Sequence, residues 1–212
     1  MKHLAKIAVC GAAVWGMLAA GPRVAAQVPL VGGSGPEIQM HGGFEYVGQQ
    51  WPAATGVSST SSTTTVAMYG VNSGMTVGIS RHLGVRLDVG YARSSNVFDS
   101  GHHSDILSYL AGPVLYPVRT RNVSPYAELL LGGARVTGAV PDGAGGFYHG
   151  YANQFAWAGG GGFEIHTSRE FAMRVGADYL RTRYFDSTAA LTNLANIRGV
   201  VSFTYYLGGR RR

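Results

Sequence analysis

Five carboxylates and three guanidiniums stand out by type and spacing: Glu45, Arg86, Asp88, Glu128, Glu164, Arg174, Asp178 and Arg198. Each falls in a stretch where bulky apolar residues alternate with polar or tiny ones, so all eight belong to polar faces of period-two segments. Opposite charges gathered on one face could form an active site, gate a narrow ion path, or pair and neutralise one another. The third outcome is the expected one, because a small barrel interior is filled by side chains. Other candidates carry less chemistry. His102 and His103 are adjacent, so in an extended chain they point oppositely and make a poor metal pair without Asp99 or Asp105. Gly143-Ala144-Gly145-Gly146 and the run Gly159 to Gly162 lack the following helix that a phosphate cradle requires. No metal site and no cofactor are therefore expected.

The elements that must position these charges are strands. In Gly84-Val85-Arg86-Leu87-Asp88-Val89-Gly90-Tyr91, Val85, Leu87, Val89 and Tyr91 share one face, while Arg86, Asp88 and Gly90 share the other. Extended to Arg93, the segment is about 10 residues long, enough for a tilted strand to cross a bilayer of roughly 30 Å. The pattern recurs, predicting strands over Glu37–Gly48, Tyr69–Ser80, Gly84–Arg93, Asp105–Val118, Val123–Thr137, Tyr151–His166, Glu170–Arg183 and Ala195–Leu207. The fourth has no clear register: Leu107, Tyr109 and Leu110 do not alternate, and Pro113 interrupts. Connections alternate long and short, as in outer-membrane barrels with long outer loops and short periplasmic turns, so both termini are expected in the periplasm.

Export is written at the start. Lys2 and Lys6 precede an apolar run from Ile7 to Ala20, Gly21-Pro22 breaks it, and Val24-Ala25-Ala26 resembles a cleavage site before Gln27. The expected organisation is a secretory signal over 1–26, a periplasmic lead-in over 27–36, a barrel over 37–208 and a basic tail over 209–212. The only cysteine, Cys10, lies in the signal, which leaves no disulfide in the remainder. Of the +6 net charge, the two lysines and Arg23 belong to the signal, and Arg210, Arg211 and Arg212 supply the rest of the excess. A basic balance confined to the two ends does not make a nucleic-acid surface.

Period two alone does not separate a membrane barrel from a soluble one; the charged face does. Turning arginines toward hydrocarbon costs roughly 2–4 kcal/mol each near the midplane. The charged, glycine-rich face is thus expected inside and the Leu, Val, Ile, Phe, Met and Tyr face outside. Tyr46, Tyr69, Tyr91, Trp157, Phe171, Tyr179 and Tyr205 become candidates for interfacial girdles. A mean hydropathy of +0.06 suits a wall in which only alternate residues meet lipid.

Several pieces carry a resemblance: Leu110-Ala111-Gly112-Pro113, Ser124-Pro125-Tyr126-Ala127-Glu128-Leu129-Leu130-Leu131-Gly132-Gly133, Gly159 to Gly162 before Phe163-Glu164, and Ala177-Asp178-Tyr179-Leu180-Arg181-Thr182-Arg183. Over about residues 35–208 the chain resembles the small outer-membrane β-barrel proteins of Gram-negative-type bacteria, the OmpA-like transmembrane domains often labelled a porin family. The resemblance implies an all-β, eight-stranded antiparallel up-and-down transmembrane barrel in the outer membrane. It also implies contact with outer-membrane lipid and lipopolysaccharide, and insertion by the barrel-assembly machinery. That machinery commonly reads a terminal aromatic; here Phe203, Tyr205 and Leu207 alternate suitably, but Gly208-Gly209 and three arginines follow.

The expected role is structural or surface-exposed, non-enzymatic and monomeric, with the lumen plugged by charge pairs. The alternative is a narrow pore or carrier for small solutes. A minor alternative is lipid modification: lipid A deacylases use a His-x-Ser pair and an acid, which His166-Thr167-Ser168 and Glu170 match only loosely and at the periplasmic end.

Overall fold

Strands with unlike faces can close on themselves, and this chain does so. The computed structural model describes residues 36–51, 64–97, 101–141, 147–185 and 191–207. They form β1 (Glu37–Trp51), β2 (Thr64–Gly78), β3 (Leu83–Val97), β4 (His102–Leu115), β5 (Val123–Pro141), β6 (Phe147–His166), β7 (Phe171–Phe185) and β8 (Leu191–Leu207). Each strand pairs antiparallel with its sequence neighbours, and β1 pairs with β8, so the sheet is a closed barrel. Closure leaves no edge strand with unpaired backbone groups. The signal, the lead-in up to Gly35, most of the Ser/Thr-rich loop, Gly143 to Gly146 and the basic tail lie outside the described residues.

The strands extend beyond the segments read from periodicity, mainly at their loop ends. β1 continues to Trp51, β2 starts at Thr64, β3 reaches Val97, β5 reaches Pro141, and β8 starts at Leu191. His102 and His103 accordingly stand in β4, not in a loop. The physical reason is that backbone pairing persists beyond the apolar band of the outer face, where the alternation fades. At the other end, β2 stops at Gly78, β4 at Leu115, and β7 begins only at Phe171. There the Ile79 and Ser80 amides both turn back onto the Leu83 carbonyl at 2.9 Å, closing a tight turn.

Inside and outside are reversed relative to a protein in water. Phe44 is 71% exposed and Phe203 68%, whereas Arg86, Arg174 and Arg198 are each 1% exposed. An exterior of this kind is suited to hydrocarbon. The fourth strand obeys the same division: Leu107, Tyr109 and Leu115 face out, while Ile106, Leu110 and Val114 are buried inside. Its register was obscure because both faces are apolar. Pro113 lies on the outer face opposite Val85 and is absent from the β4–β5 ladder, as its missing N–H requires.

The lumen is divided along its length. Toward the long loops it is richer in apolar groups, with Val47, Met68, Ile106, Val136, Tyr184 and Leu194 in one buried cluster, alongside buried Gln49, Ser104, Thr182 and Asn196. Leu110, Leu130, Ala156, Ala158 and Leu180 form an adjoining cluster. The charged residues occupy the middle of the barrel and its turn end.

Candidate functional site

The charge cluster is built from alternate residues of six strands, each aimed inward by the pleat. Arg198 on β8 is its upper centre. Its Nη1 donates to Asp88 Oδ1 at 2.7 Å, and its Nη2 and Nε donate to Asp178 Oδ2 at 2.8 and 3.1 Å. Glu45 Oε2 stands farther off, 3.9 Å from Arg198 Nη1, and makes no hydrogen bond. Arg86 on β3 donates from Nη1 to Glu128 Oε2 at 2.8 Å and from Nη2 to Asp88 Oδ2 at 3.1 Å. Arg174 on β7 donates to the same Glu128 Oε2 at 2.8 Å and to Glu164 Oε1 at 3.3 Å. All eight charged residues named from the sequence therefore lie in one group, and none of their side chains is more than 3% exposed.

Four groups complete the cluster that charge patterning alone did not single out. The His41 ring places Nε2 at 2.9 Å from Arg86 Nη2, so this nitrogen accepts from the guanidinium. Tyr126 lies flat under Arg174, with the guanidinium carbon 3.6 Å from the ring centroid. Tyr116 and Tyr206 donate their hydroxyls to Glu164 at 3.1 and 2.8 Å. The chain of contacts continues through Gln39 to Glu37, which also accepts from Arg119 at 2.9 Å. The signal for His41 and Tyr126 was their parity, since each sits an even number of residues from an inward carboxylate, Glu45 or Glu128. The same parity places Tyr206 with Arg198, Ser202 and Thr204 on the inward face of β8.

Glycine provides the room. At Gly90 a Cβ would come within 2.5 Å of the Glu45 carboxylate, and at Gly176 it would overlap the Tyr126 hydroxyl. These two positions let long side chains cross a narrow lumen.

Five carboxylates face three guanidiniums, with every guanidinium committed to two or more acceptors. The looser nucleophile pattern is not assembled. Ser168 Oγ accepts the amides of Glu170 and Phe171 at 3.2 and 3.0 Å, and the His166 ring lies 3.3 Å from Ser124 Oγ instead. Ser168 thus stabilises a turn. Near the long loops, the His102 and His149 rings meet edge to face, with centroids 4.8 Å apart. Among the described residues no group of three or more His, Cys, Asp or Glu side chains is arranged to hold a metal.

The candidate girdle residues lie on the outer wall at two levels. Tyr46, Tyr69, Tyr91, Trp157 and Tyr179 are on the loop side, with ring pairs Tyr46–Tyr69 at 5.5 Å and Trp157–Tyr179 at 5.6 Å. Tyr109, which the unsettled fourth register had hidden, joins them by donating its hydroxyl to Asn153 at 2.7 Å. Phe171 and Tyr205 pair at 5.1 Å near the turns.

No family model and no curated protein matches the sequence. Solved structures do match in shape. Neisserial surface protein A aligns with a TM-score of 0.59 at 8% identity, covering 79% of this chain and 96% of its own. Ail, the attachment invasion locus protein of Yersinia pestis, aligns at 0.53 and 15% identity, covering 82% and 99%. The outer membrane protein OprG from Pseudomonas aeruginosa aligns at 0.52 and 15% identity, covering 81% and 96%. Closed antiparallel topology, an apolar exterior, a charged interior and these alignments agree: the chain has the fold of the small eight-stranded outer-membrane β-barrels.

Proposed function

We propose that this protein resides in the bacterial outer membrane as a monomeric barrel with a structural or surface-exposed role, without catalysis and with a closed lumen. In this reading both termini are periplasmic, the barrel-assembly machinery inserts the chain, and the long loops carry any recognition. Two similar barrels are named as a surface protein and an attachment invasion locus protein, which is consistent with work done at the exposed end.

The observation that carries the reading is the filling of the lumen. Three interlocked guanidiniums cross the middle, and a layer of leucine, isoleucine, valine and methionine side chains lies between them and the loops. Ions entering from the loop side would have to pass an apolar layer and then separate buried ion pairs, both energetically costly steps. Planar-bilayer recording tests this. Membranes containing the inserted protein should show no steady single-channel current, whereas a reproducible ohmic step would replace the closed barrel with a narrow pore. Surface labelling of a tag inserted near Thr60 checks the orientation: labelling of intact cells is expected, and its absence would reverse the topology.

A further inference from the structure

The lumen holds more negative charge than its own guanidiniums balance. Among the described residues its buried carboxylates are Glu37, Glu45, Asp88, Glu128, Glu164 and Asp178. Against them stand Arg86, Arg119, Arg174 and Arg198, which leaves two negative charges over. His41 adds no positive charge, because its Nε2 accepts from Arg86 at 2.9 Å. Uncompensated charge at this depth is costly, so protons or a cation must supply the balance.

The deficit falls at Glu45. Asp178 accepts two bonds from Arg198, and Glu128 accepts from two arginines. Glu45 Oε2, in contrast, has no hydrogen-bond partner among the described residues, and Arg198 Nη1 is 3.9 Å away. The Glu45 carboxylate lies over Gly90: a Cβ there would be 2.5 Å from Oε2 and 2.9 Å from Ser108 Oγ. Gly90 is in register with Asn72 on one side and Ser108 on the other. Asn72 is 3% exposed, and neither its Oδ1 nor its Nδ2 has a hydrogen-bond partner among the described residues. A carboxylate from β1, an amide from β2 and a hydroxyl from β4 thus share the space over one glycine. From there Ser202 Oγ, Thr204 Oγ1 and Thr76 Oγ1, buried and equally without partners among the described residues, flank β1 at Gly43, His41 and Gln39. That strip is a polar approach from the turn end.

We propose that Glu45, Asn72 and Ser108 hold a hard divalent cation inside the barrel. Every donor is an oxygen, the set that suits calcium or magnesium rather than softer metals. The charge of such an ion equals the deficit. Calcium accepts irregular sets of carboxylate, amide and water oxygens, so donors from three strands with water in the remaining positions are compatible with it. A site of this make-up draws on amide and hydroxyl oxygens and needs no cluster of carboxylates or histidines. The proposal rests on the closed fold and the charge count. A conducting barrel would sink the closed-lumen reading and leave the cation site standing.

The test uses the full chain refolded metal-free in a zwitterionic detergent, with heat-modifiable gel mobility as proof of a folded barrel. Affinity is read by equilibrium dialysis against calcium chloride or magnesium chloride, with choline chloride holding ionic strength constant, and stoichiometry by native mass spectrometry. The folded parent should keep one divalent ion. Calcium should bind more tightly than magnesium, whose octahedral demand these donors meet less well. Glu45→Gln should weaken calcium binding at least about tenfold and Asn72→Ala about threefold, since ligand charge and number set the affinity. Glu170→Gln, which removes an exposed carboxylate at the turns, should leave it unchanged. A folded parent that keeps no divalent ion would overturn the proposal and leave protons as the balance. Calcium binding that survives Glu45→Gln undiminished would overturn it too, by placing the ion outside the lumen. Should Glu45→Gln fail to fold, the parent's ion count and Asn72→Ala decide.

Discussion

The two halves of the lumen are both buried but differ in chemistry: ion pairs dominate one and apolar groups the other. Toward the turns, the interior is held by directed contacts in which each guanidinium bridges carboxylates from different strands. Toward the loops, it is held mainly by packing of Met68, Ile106, Leu130, Leu180 and Leu194, with a few neutral hydrogen bonds from Tyr184 and Asn196. The difference lies in what each half can tolerate. An apolar layer loses stability in proportion to the volume removed and can partly relax. A buried ion network loses far more when one member goes, because the partners left behind keep their charge. The turn half is therefore expected to be the less tolerant of substitution.

The largest expected effect comes from removing the centre of the network. Arg198→Ala leaves Asp88 and Asp178 without their shared donor, and equilibrium urea unfolding in vesicles should show a loss of about 3–5 kcal/mol or no folded barrel. A loss under about 1 kcal/mol would mean that water reaches this depth, and the contrast between the halves would fail. Leu130→Ala in the apolar layer should cost about 2–4 kcal/mol by the same measurement, with the barrel still closed on heat-modifiability gels. If this variant instead conducts steadily in planar bilayers while Arg198→Met does not, the apolar layer is the seal. Smallest is Glu45→Gln. Its carboxylate is 3.9 Å from the nearest guanidinium nitrogen and has an oxygen without a hydrogen bond, so the change should stay within about 1 kcal/mol of the parent. A cost comparable to that of Arg198→Ala would show that Glu45 is bound more tightly than its geometry indicates.

Much of this was legible along the chain because a strand encodes its two faces locally. Arg86 and Asp88 between Val85, Leu87 and Val89 need no partner to reveal which face is polar, and the same holds for Arg174 and Asp178 on β7. What was not legible has one common cause. Where both faces are apolar, as at Ile106 to Leu110, period two vanishes. A buried lumenal leucine such as Leu110 then cannot be told from an outward one such as Leu107. The loop-side apolar layer was missed for that reason, and so was Tyr109 in the aromatic belt. Strand ends beyond the apolar band were missed because they are fixed by pairing, as with Gln50 opposite Thr65.

By itself, the sequence determined the strand-forming segments, their order and which charges share an inward face, because side-chain alternation is a property of each strand alone. Only the closed tertiary structure decided who meets whom. Arg198 reaches Asp88 across 110 positions of chain, and Glu128 is shared by Arg86 and Arg174. Those pairings depend on strand register around the closed barrel, a long-range quantity that no local pattern contains.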